Sequence, residues 1–255
     1  MIKVGLFGFG RTGKLVAAEI IKDPQCSLEW VVRNTHENEG AFASELLGIK
    51  SLQGKIVCKD TFQESPQFFD ENKVDIIIDF SDRSGFYLYN KAAGKLGIKV
   101  VTAISKYEKM DISRIEELSA DTAVVFSPNI TVGINLILVL SELLEKIIPD
   151  ADIQIVEEHF RDKPEVSGTA LKIAERLNLN PETHVKSIRA GGIVGKHEVL
   201  FGLPNQTLRL IHESNSRSAF GRGAVFASKW VINKPPGLYD MESIIRAELI
   251  KNITI

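Results

Sequence analysis

The sequence predicts an α/β protein, with an N-terminal doubly wound parallel sheet and a second, α+β domain containing a mixed or antiparallel sheet. Three observations predict it. Short, continuously apolar runs alternate with segments of helical length through the first half; the alternation stops near Asn129; three strand-like runs then follow one another with no helix between them.

The strand signals of the first half are residues 2–7 (IKVGLF), 28–32 (LEWVV), 74–80 (VDIIIDF), 98–103 (IKVVTA) and 122–127 (TAVVFS). Each is apolar along its length, as expected of strands covered on both faces. Residues 14–21 and 86–96 have helical length and mixed polarity and supply that cover. A long apolar helix over residues 133–148 opens the second half, followed by a strand at 152–159 (DIQIVEEH) and a helix from Gly168. Strand character returns at residues 185–192, 197–203 and 207–214. Residues 221–234 read as helical, and residues 235–245 as a turn with a short helix that returns to the first domain. The implied division is 1–128 as a dinucleotide-binding domain, completed by a tail of about 233–255, with 129–232 as a substrate-binding and oligomerisation domain. No internal repeat or low-complexity linker is visible.

Composition narrows the function class. The chain has 255 residues, and its 44% hydrophobic content suits a packed protein. A net charge of -2, from 31 basic and 33 acidic residues, gives no global field for nucleic acid or a membrane surface, so any attraction for an anion is local. Cys26 and Cys58 form no metal-type pattern in sequence and imply no disulfide framework, so no metal is expected. The N-terminus breaks into glycines too early for a signal-peptide core, and the apolar stretch at 132–144 is too short to span a bilayer. These features place the protein in the cytoplasm.

The first chemical motif is Gly8-Phe9-Gly10-Arg11-Thr12-Gly13, directly after the first strand and before a helix. In that context G-x-G-x-x-G marks a Rossmann-type domain: the glycines allow a tight turn and close approach of a pyrophosphate, whose charge meets backbone N–H groups at the helix start. The second strand then runs into Arg33-Asn34, without the acidic residue that would hold the ribose hydroxyls of NADH. Arg33 suits a 2'-phosphate, so NADPH is the preferred coenzyme and NADH a possible one. The plain alternative for Arg33 is a solvated surface arginine.

The second motif lies in EEHFRDKPEVSGTALKIAERL, residues 157–177. Ile153, Ile155, Glu157 and His159 alternate onto one face of an extended segment. His159 and Lys163, four apart, lie on the same side under either an extended or a helical geometry. Ser167 suits the N-cap of a helix whose first N–H groups belong to Gly168 and Thr169, and that N-terminus with Lys163 forms an anion site for a carboxylate. His159 is a proton donor near neutral pH, oriented by Glu157 or Glu158. Hydride from a nicotinamide plus this proton donor and carboxylate grip describe a reductase of an unsaturated carboxylic acid.

These residues carry a resemblance to the dihydrodipicolinate reductase (4-hydroxy-tetrahydrodipicolinate reductase) family of the diaminopimelate route to lysine. It runs nearly end to end, through the glycine loop, DFS at 79–81, FSPNITVGIN at 126–135, the H…K…SGTA region, IRAGGIVGKHEVLF at 188–201 and GLYDM at 237–241. The resemblance implies proton donation by His159 and Lys163 to a cyclic dicarboxylate, and carboxylate binding by Ser167, Gly168 and Thr169. It implies coenzyme contacts from the glycine loop, Arg33, Asn34, Phe80, Ser81, Thr102, Ala103, Ile104, Ser127, Pro128, Asn129 and Ile130. It also implies a homotetramer formed through the second-domain sheet. Three features depart from the family pattern: Phe160 replaces a second histidine that helps bind substrate, residues 102–105 read TAIS instead of GTTG, and the segment from Lys163 to Ser167 is one residue shorter. With Phe160 in place, Arg161 and Arg222 are the candidates for a recruited substrate contact. The departures keep two alternatives open: a reductase of another cyclic imine or enamine carboxylate, and a non-catalytic dinucleotide sensor.

Overall fold

The computed structural model describes residues 1–60 and 67–253. In chain order the first elements are β1 (Ile2–Phe7), α1 (Arg11–Lys22), β2 (Cys26–Arg33), α2 (Ala43–Leu46), β3 (Lys55–Cys58), α3 (Phe68–Glu71), β4 (Ile76–Asp79), α4 (Arg83–Leu96), β5 (Lys99–Thr102), α5 (Lys109–Ser119) and β6 (Ala123–Phe126). They are followed by α6 (Val132–Ile147), β7 (Asp152–His159), α7 (Gly168–Arg176), α8 (Pro181–His184), β8 (Val185–Arg189), β9 (Lys196–Leu203) and β10 (Gln206–Glu213). The chain closes with α9 (Ser218–Val231), β11 (Gly237–Tyr239) and α10 (Met241–Ile253). Two compact units result: Met1–Thr131 with Arg217–Ile244, and Val132–Ser216 with Ile245–Ile255.

The first unit is a parallel sheet in the order β11-β6-β5-β4-β1-β2-β3. The order reverses at β1, so the carboxyl ends of β1 and β4 border the crevice where such sheets take ligands. The central strands β4, β5 and β6 are buried almost throughout, as the continuous apolar runs predict. An aromatic cluster of Phe7, Trp30, Phe68, Phe69, Phe86 and Tyr89 packs one face. Gly5 lets Trp30 lie across β1: a Cβ there would fall 2.2 Å from the indole ring.

The second unit is a four-stranded mixed sheet, β10-β9-β7-β8, in which β7 runs parallel to β8 and antiparallel to β9. Ile153, Ile155, Val199 and Phe201 of one sheet face pack with Ala170 and Ile173 of α7 and with Ile137 and Leu138 of α6.

Two boundaries differ from the sequence division. Residues 217–232 fall in the first unit, because α9 packs closely on α1. A Cβ at Gly221 would come within 3.0 Å of Val16 Cα, and Arg222 and Lys229 pair with Glu19 and Asp23 at 3.1 and 2.5 Å. The expected returning tail splits: β11 pairs with β6, whereas residues from Ile245 onward fall in the second unit, where Arg246 pairs with Glu142 of α6. The last two tail residues, 254–255, lie outside the described residues. The strands β3 and β11 and the helices α2, α3, α5 and α8 are additions to the sequence reading.

Candidate active site

The glycine loop divides its three glycines by task. Gly8 has φ +94°, and a Cβ there would sit 2.6 Å from the Phe80 carbonyl oxygen; a Cβ at Gly13 would sit 2.1 Å from the Gly8 carbonyl oxygen. The first glycine therefore makes the turn and the third brings α1 onto it. Gly10 faces open space, with nothing within 4 Å of its Cβ direction. That gap is where a pyrophosphate fits, at the start of α1. A cavity of about 570 Å³ lies beside it within the first unit, lined by Thr12, Phe80, Ser81, Ala103, Ile104 and Pro128 among others. The residues present thus fit a dinucleotide.

Other coenzyme candidates divide between lining and support. Phe9, Ile104 and Ile130 are largely or wholly buried, and Thr102 is buried with its hydroxyl 2.9 Å from Tyr107 Oη. Ile130 also packs against α9, where its carbonyl oxygen would lie 2.0 Å from a Cβ at Gly223. Ser127 donates its hydroxyl to the Asn129 carbonyl at 3.0 Å, bending the chain after β6. Arg11 is exposed. Asn34 Nδ2 reaches Asp82 at 3.5 Å. Arg33 has the acidic neighbour that its adjoining residues do not supply: its guanidinium donates to the Glu37 carbonyl and carboxylate, both at 2.7 Å. Asp79, at the end of β4, is fully buried; it accepts from Ser81 N–H and Oγ–H and from Tyr89 Oη–H at 2.9 Å. Burial pushes its carboxyl up to about 6 against these hydrogen bonds.

In the second unit, strand alternation builds a polar end onto the apolar sheet face. Glu157 and His159 continue the Ile153 and Ile155 face of β7. Register places Ser187 and His197 on either side of Glu157, and Arg189 beside His159. Glu157 is fully buried. Arg189 holds it with two hydrogen bonds of 2.6 and 2.9 Å, Ser187 Oγ donates at 2.6 Å, and Ser167 N–H donates at 3.3 Å. Burial opposes ionisation, but the Arg189, Ser187 and His159 hydrogen bonds outweigh it and draw the carboxyl down to about 2. An ionised carboxylate only accepts, so the close contact between Glu157 and His159 Nδ1 assigns a proton to Nδ1. Nε2 is then the ring nitrogen not engaged by Glu157. Gly195 keeps room there, since a Cβ at that position would come 3.0 Å from Nε2.

Arg189 also binds the loop that carries the lysine: Nε donates to the Lys163 carbonyl at 3.1 Å and Nη2 to the Glu165 carbonyl at 2.9 Å. One guanidinium therefore fixes both the orienting carboxylate and the Lys163 backbone. Among the described residues, no carboxylate pairs with Lys163 Nζ, and its charge is felt at His197. Gly168 and Thr169 open α7 as expected. Ser167 differs: its hydroxyl does not cap α7 but lies 2.7 Å from His197 Nε2. His197, whose ring meets that of His159 at 5.3 Å, is pushed down to about 4 by burial and by His159. Phe160 is 45% exposed. Arg222 pairs with Glu19 within the first unit. Sequence reasoning did not single out Ser187, Arg189 or His197; strand register was the missing signal.

Comparison with known proteins agrees with both halves. Family models described as the N-terminus and the C-terminus of dihydrodipicolinate reductase match residues 2–130 and 133–245. The 4-hydroxy-tetrahydrodipicolinate reductase of Hahella chejuensis is 30% identical over 96% of this chain and 99% of its own. That of Caldanaerobacter subterraneus is 33% identical over 74% of this chain and 86% of its own. Among solved structures, a dipicolinate-bound dihydrodipicolinate reductase from Paenisporosarcina sp. TG-14 aligns with a TM-score of 0.78 at 20% identity, covering 96% of this chain and 99% of that one. With both of its halves matched in order, the chain belongs to the dihydrodipicolinate reductase family.

Proposed function

We propose that this chain is an NAD(P)H-dependent reductase of 4-hydroxy-tetrahydrodipicolinate, acting in the diaminopimelate route to lysine in the cytoplasm. The observation that carries the reading is the buried Glu157 carboxylate holding His159 Nδ1 beside Lys163 and the start of α7. When bound, the nicotinamide supplies a hydride. The first unit holds the dinucleotide at Gly8, Gly10, Gly13 and the ends of β4, β5 and β6. The second unit binds a carboxylate through Lys163 Nζ and the N–H groups of Gly168 and Thr169. His159 delivers a proton from Nε2, with Nδ1–H donated to Glu157 throughout.

NADPH is the preferred coenzyme. Glu37 is 71% exposed, so its pair with Arg33 is worth only about 0–1 kcal/mol, less than the roughly 1.5–3 kcal/mol of a charge-assisted contact with a 2'-phosphate. NADH binds at the same site without that contact. A homotetramer assembles through the second-unit sheet, where Leu208, Ile211 and Ile188 are exposed; light scattering on the eluted protein tests it.

The direct assay supplies enzymatically generated substrate and NADPH and follows loss of nicotinamide absorbance. His159→Ala should lower kcat by about 10²–10⁴-fold, Lys163→Ala should raise KM and lower kcat together, and neither should alter coenzyme titration. Turnover in the His159 variant near that of the parent refutes the proton-donor role. Phe160, half exposed where the family pattern has a histidine, favours one second reading: a different cyclic imine carboxylate as substrate. A large gain in activity for Phe160→His on dihydrodipicolinate would support it, and no change or a loss would oppose it.

A further inference from the structure

Beyond the carboxyl ends of β2 and β3, the first unit gathers three donors of different chemistry. His36, from the loop after β2, Cys58, the last residue of β3, and Asp60 each place a ligand atom within 4.8 Å of the other two. The contacts around them are ordered. Glu39 Oε2 lies 2.6 Å from His36 Nδ1, and Glu39 Oε1 accepts the Cys58 N–H at 3.0 Å. A single carboxylate thus ties the imidazole to the strand end that carries the thiol. His36 Nε2 is turned toward Asp60, 3.6 Å from Oδ2.

Imidazole, thiol and carboxylate together suit a borderline-soft divalent cation, whereas calcium and magnesium take oxygen and do not favour a thiolate. Bonds of about 2.0–2.3 Å in a tetrahedral zinc site put neighbouring ligand atoms roughly 3.3–3.7 Å apart. His36 and Asp60 already stand at that separation, and the Cys58 thiol lies within 4.8 Å of both, at most about 1 Å beyond it. Cys58 is fully buried and supplies the fixed ligand, while the His36 and Asp60 side chains are each 65% exposed. A carboxylate on the outer nitrogen of the histidine is the support that metal-bound imidazoles regularly carry. The same geometry without metal is an ion triad of His36 with Glu39 and Asp60, in which the Cys58 thiol has no part.

We infer that His36, Cys58 and Asp60 form a zinc-type divalent-cation site with three protein ligands and one open position, oriented by Glu39. The site lies outside the catalytic groups and stands independently of the reductase reading. It pins the loop after β2 to the end of β3.

The test uses the full chain, stripped with a chelator and titrated with Co²⁺ and then Zn²⁺. One Co²⁺ per chain should bind with a thiolate-to-cobalt charge-transfer band that Zn²⁺ displaces, while Ca²⁺ leaves the band unchanged. His36→Ala and Asp60→Ala, at exposed positions, should each weaken binding by more than Glu39→Gln, which should cost about 10–100-fold. Cys58→Ser should remove the band; because that residue is buried, circular dichroism must first show the variant folded, and the exposed-site variants decide if it is not. Absence of the band in the parent, or Co²⁺ affinity unchanged in His36→Ala, overturns the assignment and leaves the ion triad.

Discussion

Glu157→Gln removes one charge and keeps the side-chain shape, so it isolates what the buried carboxylate does. The carboxyl is drawn from 4.5 to about 2 in the folded protein. At about 1.4 kcal/mol per pH unit, that gap corresponds to about 3 kcal/mol of stability. Because the folded value lies below the unfolded one, the contribution is fully present above about pH 4.5 and is lost as pH falls toward 2. Removing one partner of a buried ion pair independently costs about 3–5 kcal/mol, and here Arg189 would lose its counter-charge while still held by the Lys163 and Glu165 carbonyls. The variant should melt about 6–12 °C below the parent near pH 7, and the difference should shrink below pH 4.5. Turnover should fall by about 10²-fold, because His159 loses the anion that fixes its tautomer, whereas coenzyme affinity should be unchanged. Melting curves from pH 3 to 8 and single-turnover absorbance traces measure both. A melting temperature within about 2 °C of the parent and turnover within threefold would refute the reasoning.

Three further outcomes are expected. Gly195→Ala places a methyl 3.0 Å from His159 Nε2 and should lower kcat with little change in melting temperature; unchanged kcat would show that Nε2 is not the working atom. Arg33→Ala should weaken NADPH by about 1.5–3 kcal/mol and leave NADH nearly unaffected, while Glu37→Gln should tighten NADPH, and equal parental affinity for the two coenzymes in fluorescence titration would sink the 2'-phosphate role. Asp79, pushed up to about 6, costs stability as pH rises from about 4 through 6, because the folded state holds the proton more tightly; Asp79→Asn should therefore gain on the parent between pH 4.5 and 7.5 in denaturant unfolding, and a pH-independent difference would contradict the burial argument.

What the sequence disclosed follows from which signals are local. The apolar runs of β1, β4, β5 and β6 are readable because strands covered on both faces show no polar break, and the glycine loop because its backbone demands are met within six residues. The short edge strand β3 and the split of residues 217–255 between the units depend on contacts with distant segments, such as Gly221 against Val16, which no local pattern encodes. The same distinction divides the active site. His159, Lys163 and Gly168 fall within one stretch, and their proximity is legible. Arg189, Ser187 and His197 reach Glu157 only through the pairing of β7 with β8 and β9. Ser167 has the composition of a cap, yet His197, from another strand, takes its hydroxyl.

That long-range layer bears on the departures from the family pattern. The resemblance makes the segment from Lys163 to Ser167 one residue shorter than the family pattern, and a shortened loop moves the lysine unless its backbone is held. Arg189 holds it at two carbonyls and, with the same guanidinium, holds the carboxylate that orients His159. The placement of the Lys163 backbone relative to His159, the proposed proton donor, is therefore fixed by one rigid, planar group bridging β7, β8 and the loop, together with the Lys163 N–H to Phe160 carbonyl bond. Lysine cannot substitute there, since a single ammonium has no fixed fork with which to meet two carboxylate oxygens and two carbonyls at once. The Phe160 side chain is partly exposed and makes none of these hydrogen bonds, while its carbonyl accepts the Lys163 N–H at 3.2 Å. On the proposed reading, substrate range and proton delivery rest on separable parts of the second unit: the Phe160 side chain and its surroundings bear on which ring is accepted, and the Glu157–Arg189 pair on proton delivery by His159.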